Sequence, residues 1–376
     1  MKILIAPDSF KDSLSAKKAA DIMEKAARKI FAEVEIIKLP MADGGEGTVK
    51  SLISATGGKI IETEVMDPLM RPVKSFYGIL GDGKTAVIEM AAASGLELLK
   101  KEERNPLKTT SYGTGELIVN ALENDCKEII IGIGGSATTD GGIGMAAALG
   151  ARFLDQDGND IELNGEGLGN LHKIGIKELH PKLDEVKVKI ASDVTNPLYG
   201  QDGAAHVYGP QKGADDKMVQ QLDQHLKKLA EIIKSDLGRE VHNIPGAGAA
   251  GGLGAGLIAF LDAEMKPGFD LIAELTNLEQ HIKSSHLILA GEGKIDFQTQ
   301  YGKTPFGIAK LGVKHNKTVL LFSGTLEPGY QEWLPGKVAA FSIINRPAEL
   351  QDILNDSEYL LEDLVTNVLK VWSSDH

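Results

Sequence analysis

A glycine-rich segment with several hydroxyl side chains carries the clearest chemical signal in this chain. Residues 132–144 read GIGGSATTDGGIG, between an apolar stretch typical of a buried strand and an alanine-rich stretch typical of a helix. Glycines at such a junction let backbone N–H groups approach an anion at a helix N-terminus. Ser136 and Thr138 add hydroxyl donors, and the carboxylate of Asp140 can hold a metal ion or accept a proton. The pattern indicates phosphate or carboxylate binding; the alternative is a tight turn in which glycines only relieve crowding.

Polar residues also follow other predicted strands, and this regularity indicates one shared site. They are Asp8 and Lys11, Asp43 and Glu46, Asp193 and Asn196, and finally Glu292, Lys294 and Asp296. In open α/β sheets the carboxyl ends of the strands line the ligand crevice. The alternative is that Asp, Asn and Gly follow strands because turns favour them. Because lysines accompany the carboxylates, we favour the functional interpretation for the set as a whole.

Two further segments combine charge with glycine. In residues 291–298, GEGKIDFQ, an acid, a base, an acid and an amide alternate at positions 292, 294, 296 and 298. Alternate residues share one face wherever the chain stays extended, so these side chains are expected to meet one ligand. In GPQKG, Lys212 is placed to meet a phosphate.

The elements that must position these residues predict an α/β protein with two domains. Short apolar strands at 2–6, 33–39, 286–290, 318–323 and 338–343 alternate with helices, which is typical of a doubly wound parallel sheet. The middle differs: closely spaced β segments over 59–90 form a meander, followed by a βα pair at 128–150 and a strand at 186–192. We therefore expect a discontinuous domain from residues 1–60 and 285–376, and an inserted mixed α/β domain over 61–284.

The composition argues against nucleic-acid binding, an internal disulfide and a membrane-spanning helix. A formal net charge of -13 over 376 residues argues against a nucleic-acid binder, which needs a basic face. The single cysteine, Cys126, excludes an internal disulfide and is typical of a reducing compartment. No apolar run reaches the ~18 residues of a spanning helix, and the chain begins directly with a strand. We expect a cytoplasmic protein with small-molecule substrates and no membrane or nucleic-acid partner.

Seven motifs together resemble the bacterial glycerate kinases of the type I family. They are residues 6–11 (APDSFK), 41–48 (MADGGEGT), 134–138 (GGSAT), 193–198 (DVTNPL), 209–214 (GPQKGA), 251–254 (GGLG) and 291–296 (GEGKID). They occur in order across nearly the whole chain. The resemblance implies a flavodoxin-like domain joined to a second α/β domain. It also implies phosphorylation of D-glycerate by ATP with Mg²⁺, with 2-phosphoglycerate favoured over 3-phosphoglycerate on the resemblance alone.

This reaction gives the candidate residues their expected roles, because phosphoryl transfer needs positioning, cations on phosphate oxygens and a base near the acceptor hydroxyl. The catalytic candidates are Asp193 or Asp296 as the base, with Lys294 as a cation. Substrate and phosphate contacts are assigned to Asp8, Ser9, Lys11, Gly134, Gly135, Ser136, Thr138, Asn196, Lys212, Glu292 and Gln298. The candidate Mg²⁺ ligands are Asp43, Glu46 and Asp140.

We expect transfer to a hydroxyl in a cleft between the two domains. A kinase for another small hydroxy acid, and a non-catalytic sensor of carboxylates or nucleotides, are the alternatives. The sequence is compatible with a homo-oligomer. It does not distinguish the loop that holds ATP from the loop that holds glycerate.

Overall fold

The computed structural model describes residues 1–10, 13–42, 45, 47–296, 299, 303–332, 334 and 336–374. The strands in these residues are β1 (Lys2–Pro7), β2 (Glu35–Lys38), β3 (Lys59–Met66), β4 (Pro72–Ile79), β5 (Thr85–Glu89), β6 (Glu128–Gly132), β7 (Arg152–Leu154), β8 (Lys173–Gly175), β9 (Lys187–Ala191), β10 (Glu264–Lys266), β11 (Leu287–Ile295), β12 (Thr318–Leu326) and β13 (Val338–Ser342). The helices are α1 (Ala16–Ile30), α2 (Thr48–Thr56), α3 (Ala91–Ser94), α4 (Tyr112–Glu123), α5 (Ile143–Ala148), α6 (Ala204–Tyr208), α7 (Asp216–Leu237), α8 (Leu253–Leu261), α9 (Gly268–Leu275), α10 (Leu278–Ser284), α11 (Thr304–Lys314), α12 (Leu350–Asn355) and α13 (Ser357–Ser373).

The chain forms two compact units, each with its own core. Unit 1 contains Met1–Asp43, Lys50–Thr56 and Phe269–His376, and unit 2 contains Gly44–Val49 and Gly57–Gly268. The sequence places the domain boundaries near residues 60 and 285. That these ranges are separate folding domains stays a prediction.

Unit 1 is built on a five-stranded parallel sheet in the order β13-β12-β11-β1-β2. Numbered along the unit, this is the 2-1-3-4-5 order of flavodoxin-like folds, which confirms the expected doubly wound sheet. The order reverses between β1 and β11, where Pro7 pairs with Gly291. Such a reversal is the place where doubly wound sheets bind their ligands.

Helix α1 shows why the predicted elements of unit 1 form where they do. The side chain of Ser15 accepts a hydrogen bond from the Lys18 N–H and caps the helix. The buried residues of α1 recur at helical spacing and include Ala19, Ile22, Met23, Ala26 and Ala27. They join a core with the sheet and α13, so burial of one apolar face holds this helix against the strands.

Strand β11 is longer than the sequence predicts. The apolar run ends at Ala290, but pairing with β12 continues through Glu292 opposite Ser323 and Lys294 opposite Thr325. The expectation that Glu292 and Lys294 follow the strand is therefore wrong, because ladder hydrogen bonds to a neighbour extend the strand beyond its apolar part. The chain does stay extended there, as the alternation over 291–298 requires.

Unit 2 is the second, mixed α/β part. Its six-stranded sheet has the order β10-β9-β6-β5-β4-β3, in which β3, β4 and β5 pair antiparallel and β5, β6, β9 and β10 pair parallel. This confirms the predicted meander and the βα pair after it. A separate hairpin joins β7 and β8. Among the helices of the described residues, none is long and apolar enough to cross a membrane.

Candidate functional site

Residues 134–139, here called the glycine–hydroxyl loop, connect β6 to the turn before α5 in unit 2. Gly134 and Gly135 are exposed, whereas Ser136 and Thr138 are buried. Among the described residues, the backbone N–H groups of Gly134, Gly135 and Ser136 donate to no protein acceptor. Unpaired donors at an exposed glycine turn leave the loop able to receive an anion.

Lys212 brings a cation to this loop. Its side chain is 2% exposed, and Nζ donates to Ser136 Oγ at 2.7 Å and to the Thr138 carbonyl at 2.5 Å. Burial lowers the pKa of Lys212 from 10.5 to about 7, an effect that the carboxylate of Asp140 partly opposes. The structure thus brings together three residues that the sequence assigned to phosphate binding.

The backbone around Lys212 explains how a lysine comes to lie so deep. It ends the 3₁₀ turn Pro210–Lys212, and Gly213 follows with φ of 94°. A Cβ on Gly213 would lie 2.3 Å from the Arg104 carbonyl oxygen, so only glycine lets the chain turn there. The short turn between two glycines directs the lysine into the unit.

Asp140, which the sequence predicts to be a metal ligand, is fully buried and accepts hydrogen bonds from the protein. Its Oδ2 accepts hydrogen bonds from the Ser111 N–H at 2.7 Å and the Ser111 hydroxyl at 2.8 Å, and from the Gly144 N–H at 3.3 Å. Its Oδ1 accepts from the Gly142 N–H at 3.1 Å. Burial raises the pKa of Asp140 above its ordinary value, while these donors oppose the change.

These contacts correct two expectations about the loop. The first N–H groups of α5, which the sequence offers to an anion, are bonded within the protein: the Gly144 N–H to the Asp140 carboxylate and the Met145 N–H to the Ser111 hydroxyl. Both oxygens of the carboxylate are occupied by protein donors, which favours a structural role over Mg²⁺ binding. Helix α5 begins at Ile143, inside the glycine-rich segment 132–144.

A second glycine segment packs directly on the loop. Ala250, Gly251 and Gly252 all have positive φ, at 53°, 69° and 89°. A Cβ on Gly251 would lie 2.0 Å from the Thr138 carbonyl oxygen, the same oxygen that accepts from Lys212. The carbonyl of Gly251 accepts the Gly141 N–H at 3.1 Å. The segment is a packing surface for the loop.

The residues predicted after β9 are engaged by other protein groups, Asp193 by a distant segment and Asn196 by neighbours along the chain. Oδ1 of Asp193, an exposed residue, accepts the Gly268 N–H at 2.9 Å. The amide of Asn196 donates to the Asp202 carbonyl at 2.9 Å, and its oxygen accepts from the Tyr208 hydroxyl at 2.6 Å. Asn196 therefore holds this loop in shape.

A second group of predicted residues meets in unit 1, at the reversal of strand order. The carboxylates of Asp8, Glu292 and Asp296 form what we call the carboxylate cluster. Asp8 accepts from the Ser9 N–H at 2.6 Å and from the Thr304 hydroxyl at 2.9 Å. The Asp8 N–H donates to the Gly291 carbonyl at 2.8 Å, which fixes the end of β1 beside β11.

Glu292 is the most deeply buried member of the cluster. It is 9% exposed, and Oε1 accepts from the Thr299 hydroxyl at 2.9 Å. Burial raises the pKa of Glu292 to about 7; the charges of Asp8 and Asp296 act in the same direction, and Lys303 and Thr299 oppose them. This carboxyl changes protonation near neutral pH.

Two lysines lie near the cluster: Lys303 is beside Asp296, and Lys294 is at the surface. Lys303 lies 3.4 Å from Asp296 Oδ1, which also accepts the Thr299 N–H at 3.2 Å. Lys294 has a side chain that is 52% exposed; it pairs with Glu327 and lies 3.7 Å from Asp296 Oδ2. Its partner Glu327, then Asp296, raise the pKa of Lys294.

Four predicted residues, Lys11, Asp43, Glu46 and Gln298, lie outside the described residues. Within the ranges that are described, no group of three or more His, Cys, Asp or Glu side chains is arranged to hold a metal ion. The metal assignments to Asp43 and Glu46 accordingly stay predictions.

Sequence reasoning missed Ser111 and Thr299. Ser111 holds Asp140 from 29 residues away, and its hydroxyl also accepts the Met145 N–H at 2.9 Å. The run of hydroxyl residues at 109–111, just before α4, was an available signal of helix capping. Thr299 bonds both Glu292 and Asp296, but no pattern in the sequence marks it.

Comparisons with known proteins show the family of the chain. The model of the Glycerate kinase family matches residues 3–373. A glycerate kinase of Haemophilus influenzae is 48% identical over 372 residues, 99% of this chain and 98% of that protein. A glycerate 2-kinase of Escherichia coli K12 is 52% identical over 326 residues, 87% of this chain and 86% of that protein. A crystal structure from Salmonella typhimurium LT2, described as a glycerate kinase 2, has a TM-score of 0.91 and 45% identity, covering 100% of this chain and 99% of that chain. The chain therefore belongs to the glycerate kinase family, whose members are phosphotransferases.

Proposed function

We propose that the protein transfers the γ-phosphoryl group of ATP to D-glycerate and forms 2-phosphoglycerate. The observation that carries the proposal is the contact of buried Lys212 with the glycine–hydroxyl loop. The 2-position is supported by the name of the E. coli relative, a glycerate 2-kinase at 52% identity. The predicted cleft between the two domains is part of this proposal.

Lys212 and the loop have the donors that an anion requires. The ammonium makes hydrogen bonds only to neutral oxygens among the described residues, so its charge lacks a paired carboxylate. A bound phosphate or carboxylate group would supply that charge and accept the unpaired N–H groups of the loop. The buried hydroxyl of Thr138 also has no hydrogen-bond partner in the described part of the chain, and it offers one more donor. The effect of Lys212→Met on the separate KM values for ATP and D-glycerate tests which substrate supplies the anion.

The proposed reaction includes Mg²⁺, and Asp43 and Glu46 are its ligands predicted from the sequence. The third predicted ligand, Asp140, fits poorly, because its side chain is fully buried and its carboxylate already accepts four hydrogen bonds from protein donors. Chelation with EDTA followed by repletion with Mg²⁺ tests the requirement, and full activity in EDTA would contradict it.

The acceptor hydroxyl must lose a proton during transfer, and the sequence assigns that proton to Asp193 or Asp296. Both assignments stay proposals, and Glu292 is a third carboxylate that competes with them for this role. Each carboxylate lies at the end of a parallel strand, where substrates of open sheets bind. Replacement of the responsible residue by Asn should abolish turnover and leave the fold intact, and near wild-type kcat in both variants would remove both from this role.

The experiment that tests the function uses ATP, Mg²⁺ and a panel of small hydroxy acids. We expect ADP to form with D-glycerate, and we expect phosphorus NMR of the product to match 2-phosphoglycerate. Formation of 3-phosphoglycerate would refute the position. Turnover of a different acid in place of D-glycerate would favour the broader hydroxy-acid kinase, and binding without ADP formation would favour the sensor.

A further inference from the structure

We infer that Glu292 is the catalytic base, the residue that accepts the proton of the acceptor hydroxyl. This inference rests on the proposed function and names a residue that the sequence assigned only to binding. It stands on the position of Glu292 in the sheet, on an oxygen that no protein donor occupies, and on the charges around it.

The position of Glu292 follows from the topology of unit 1. It lies one residue beyond Gly291, which pairs with Pro7 at the place where the strand order reverses between β1 and β11. The carboxyl ends of the strands at such a reversal are the general ligand site of doubly wound sheets. A group placed there and oriented by an ordered strand is well placed to contact a substrate atom.

The two oxygens of Glu292 have different surroundings. Oε1 accepts the Thr299 hydroxyl at 2.9 Å, which orients the carboxylate. Within the described residues Oε2 accepts no hydrogen bond, although the side chain is only 9% exposed. A carboxylate oxygen without a protein donor has lone pairs available for a proton.

The two carboxylates first expected to be the base are placed less favourably. Asp296 Oδ1 accepts from Thr299, and Lys303 lies 3.4 Å from the same oxygen. That oxygen is therefore engaged by two protein groups, whereas Oε2 of Glu292 accepts no hydrogen bond within the described residues. Asp193 is exposed, and its Oδ1 accepts the Gly268 N–H, so no buried environment holds this carboxylate.

Burial and the charged groups that face Glu292 together set its pKa at about 7. Asp8, at the end of β1, and Asp296, after β11, raise its pKa in addition to burial; Lys303, before α11, lowers it. Its cross-strand neighbour on β12 is the neutral Ser323. General bases work best when their pKa lies near the operating pH, and the value of about 7 meets this condition.

The hydroxyl oxygen of the acceptor forms a bond to the γ-phosphorus, and its proton moves to the Glu292 carboxylate. The bond between the γ-phosphorus and the bridging oxygen breaks, and ADP leaves with the electron pair. Glu292 then releases the proton to solvent before the next turnover.

Variants of Glu292 and of its neighbours test the inference through the pH profile. We expect Glu292→Gln to lower kcat by roughly 10²–10⁴-fold, the usual contribution of a general base. We expect Glu292→Asp to retain partial activity. In the wild-type enzyme kcat/KM should fall tenfold per pH unit below about pH 7, because the base is then protonated. Thr299→Val and Lys303→Met should each move this midpoint upward, since both residues lower the pKa of Glu292.

The control is Glu358→Gln, an exposed carboxylate of the same unit that pairs with Lys18 at 3.0 Å. It should leave both kcat and the midpoint unchanged. Glu292→Gln activity within threefold of wild type would overturn the inference. Rescue of Glu292→Gln by a higher Mg²⁺ concentration, or an unmoved midpoint in both neighbour variants, would also overturn it. A wild-type protein that forms no phosphoglycerate would refute the proposed function itself, whereas an active wild type with any of those results refutes only the base.

Discussion

Replacing Lys212 by Met should stabilise the protein at pH 7 while it removes activity. The lysine is 2% exposed, and burial lowers its pKa from 10.5 to about 7. At about 1.4 kcal/mol per tenfold change, this difference corresponds to roughly 5 kcal/mol of unfavourable free energy for the charged form in the folded state. Methionine has nearly the same length and carries no charge, so it avoids that cost.

The loss of two hydrogen bonds offsets part of the gain. The Thr138 carbonyl keeps the Ser136 hydroxyl as a donor at 3.3 Å, so it is not left wholly unpaired. A buried group that loses a partner costs about 1–3 kcal/mol. We therefore expect Lys212→Met to raise the free energy of unfolding by about 2–4 kcal/mol at pH 7.

The sign of the pH dependence follows from the same shift. Between pH 7 and 10.5 the unfolded chain holds a proton on this lysine that the folded chain has released. The free energy of unfolding of the wild type therefore gains a contribution that rises with pH over that window, while below about pH 7 the penalty is fully present. This contribution disappears in Lys212→Met, so the advantage of the variant should vanish by about pH 10.

Urea unfolding at pH 7 and pH 10, together with ADP formation, measures both effects. Lys228→Met is the matched control, because Lys228 donates to the Gly169 carbonyl at 2.6 Å in the same unit. We expect this control to lose about 1 kcal/mol of stability and to keep its activity. A less stable Lys212→Met at pH 7, or one with wild-type kcat/KM, would refute the reasoning. Separate KM values for ATP and D-glycerate would show which substrate the lysine contacts.

Two further predictions concern the support of the glycine–hydroxyl loop. Gly251→Ala should cost about 2–4 kcal/mol and raise KM more than it lowers kcat, because its Cβ would lie 2.0 Å from the Thr138 carbonyl at a φ of 69°. Gly238→Ala, with φ of 70° and no atom within 4 Å, should cost about 1 kcal/mol and leave KM unchanged. Asp140→Asn should cost about 3 kcal/mol or more in urea unfolding, because an amide nitrogen would face donors that now bond a carboxylate; equal stability would contradict that role.

The residue types of both candidate sites could be predicted from the sequence, but the partners of those residues could not. The glycines and hydroxyl residues of 134–138 and the cation of Lys212 indicate anion binding by their residue types alone. The role of Asp140 depends on Ser111, which lies on another element, so only the packed structure reveals that the carboxylate is a helix cap. The extension of β11 likewise depends on pairing with β12 beyond its apolar residues.

Burial separates Lys212 and Glu292 from the other predicted charges, and it acts on them in opposite directions. It lowers the pKa of the lysine and raises that of the glutamate, and each reaches about 7. In the free enzyme, kcat/KM should therefore decline on both sides of neutrality, as Glu292 gains a proton below about pH 7 and Lys212 loses one above it. A bound anion beside Lys212 favours the charged lysine, so the alkaline decline of kcat should begin at a higher pH than that of kcat/KM. Full pH profiles of the wild type measure both, and coincident alkaline declines would show that Lys212 does not face the bound anion.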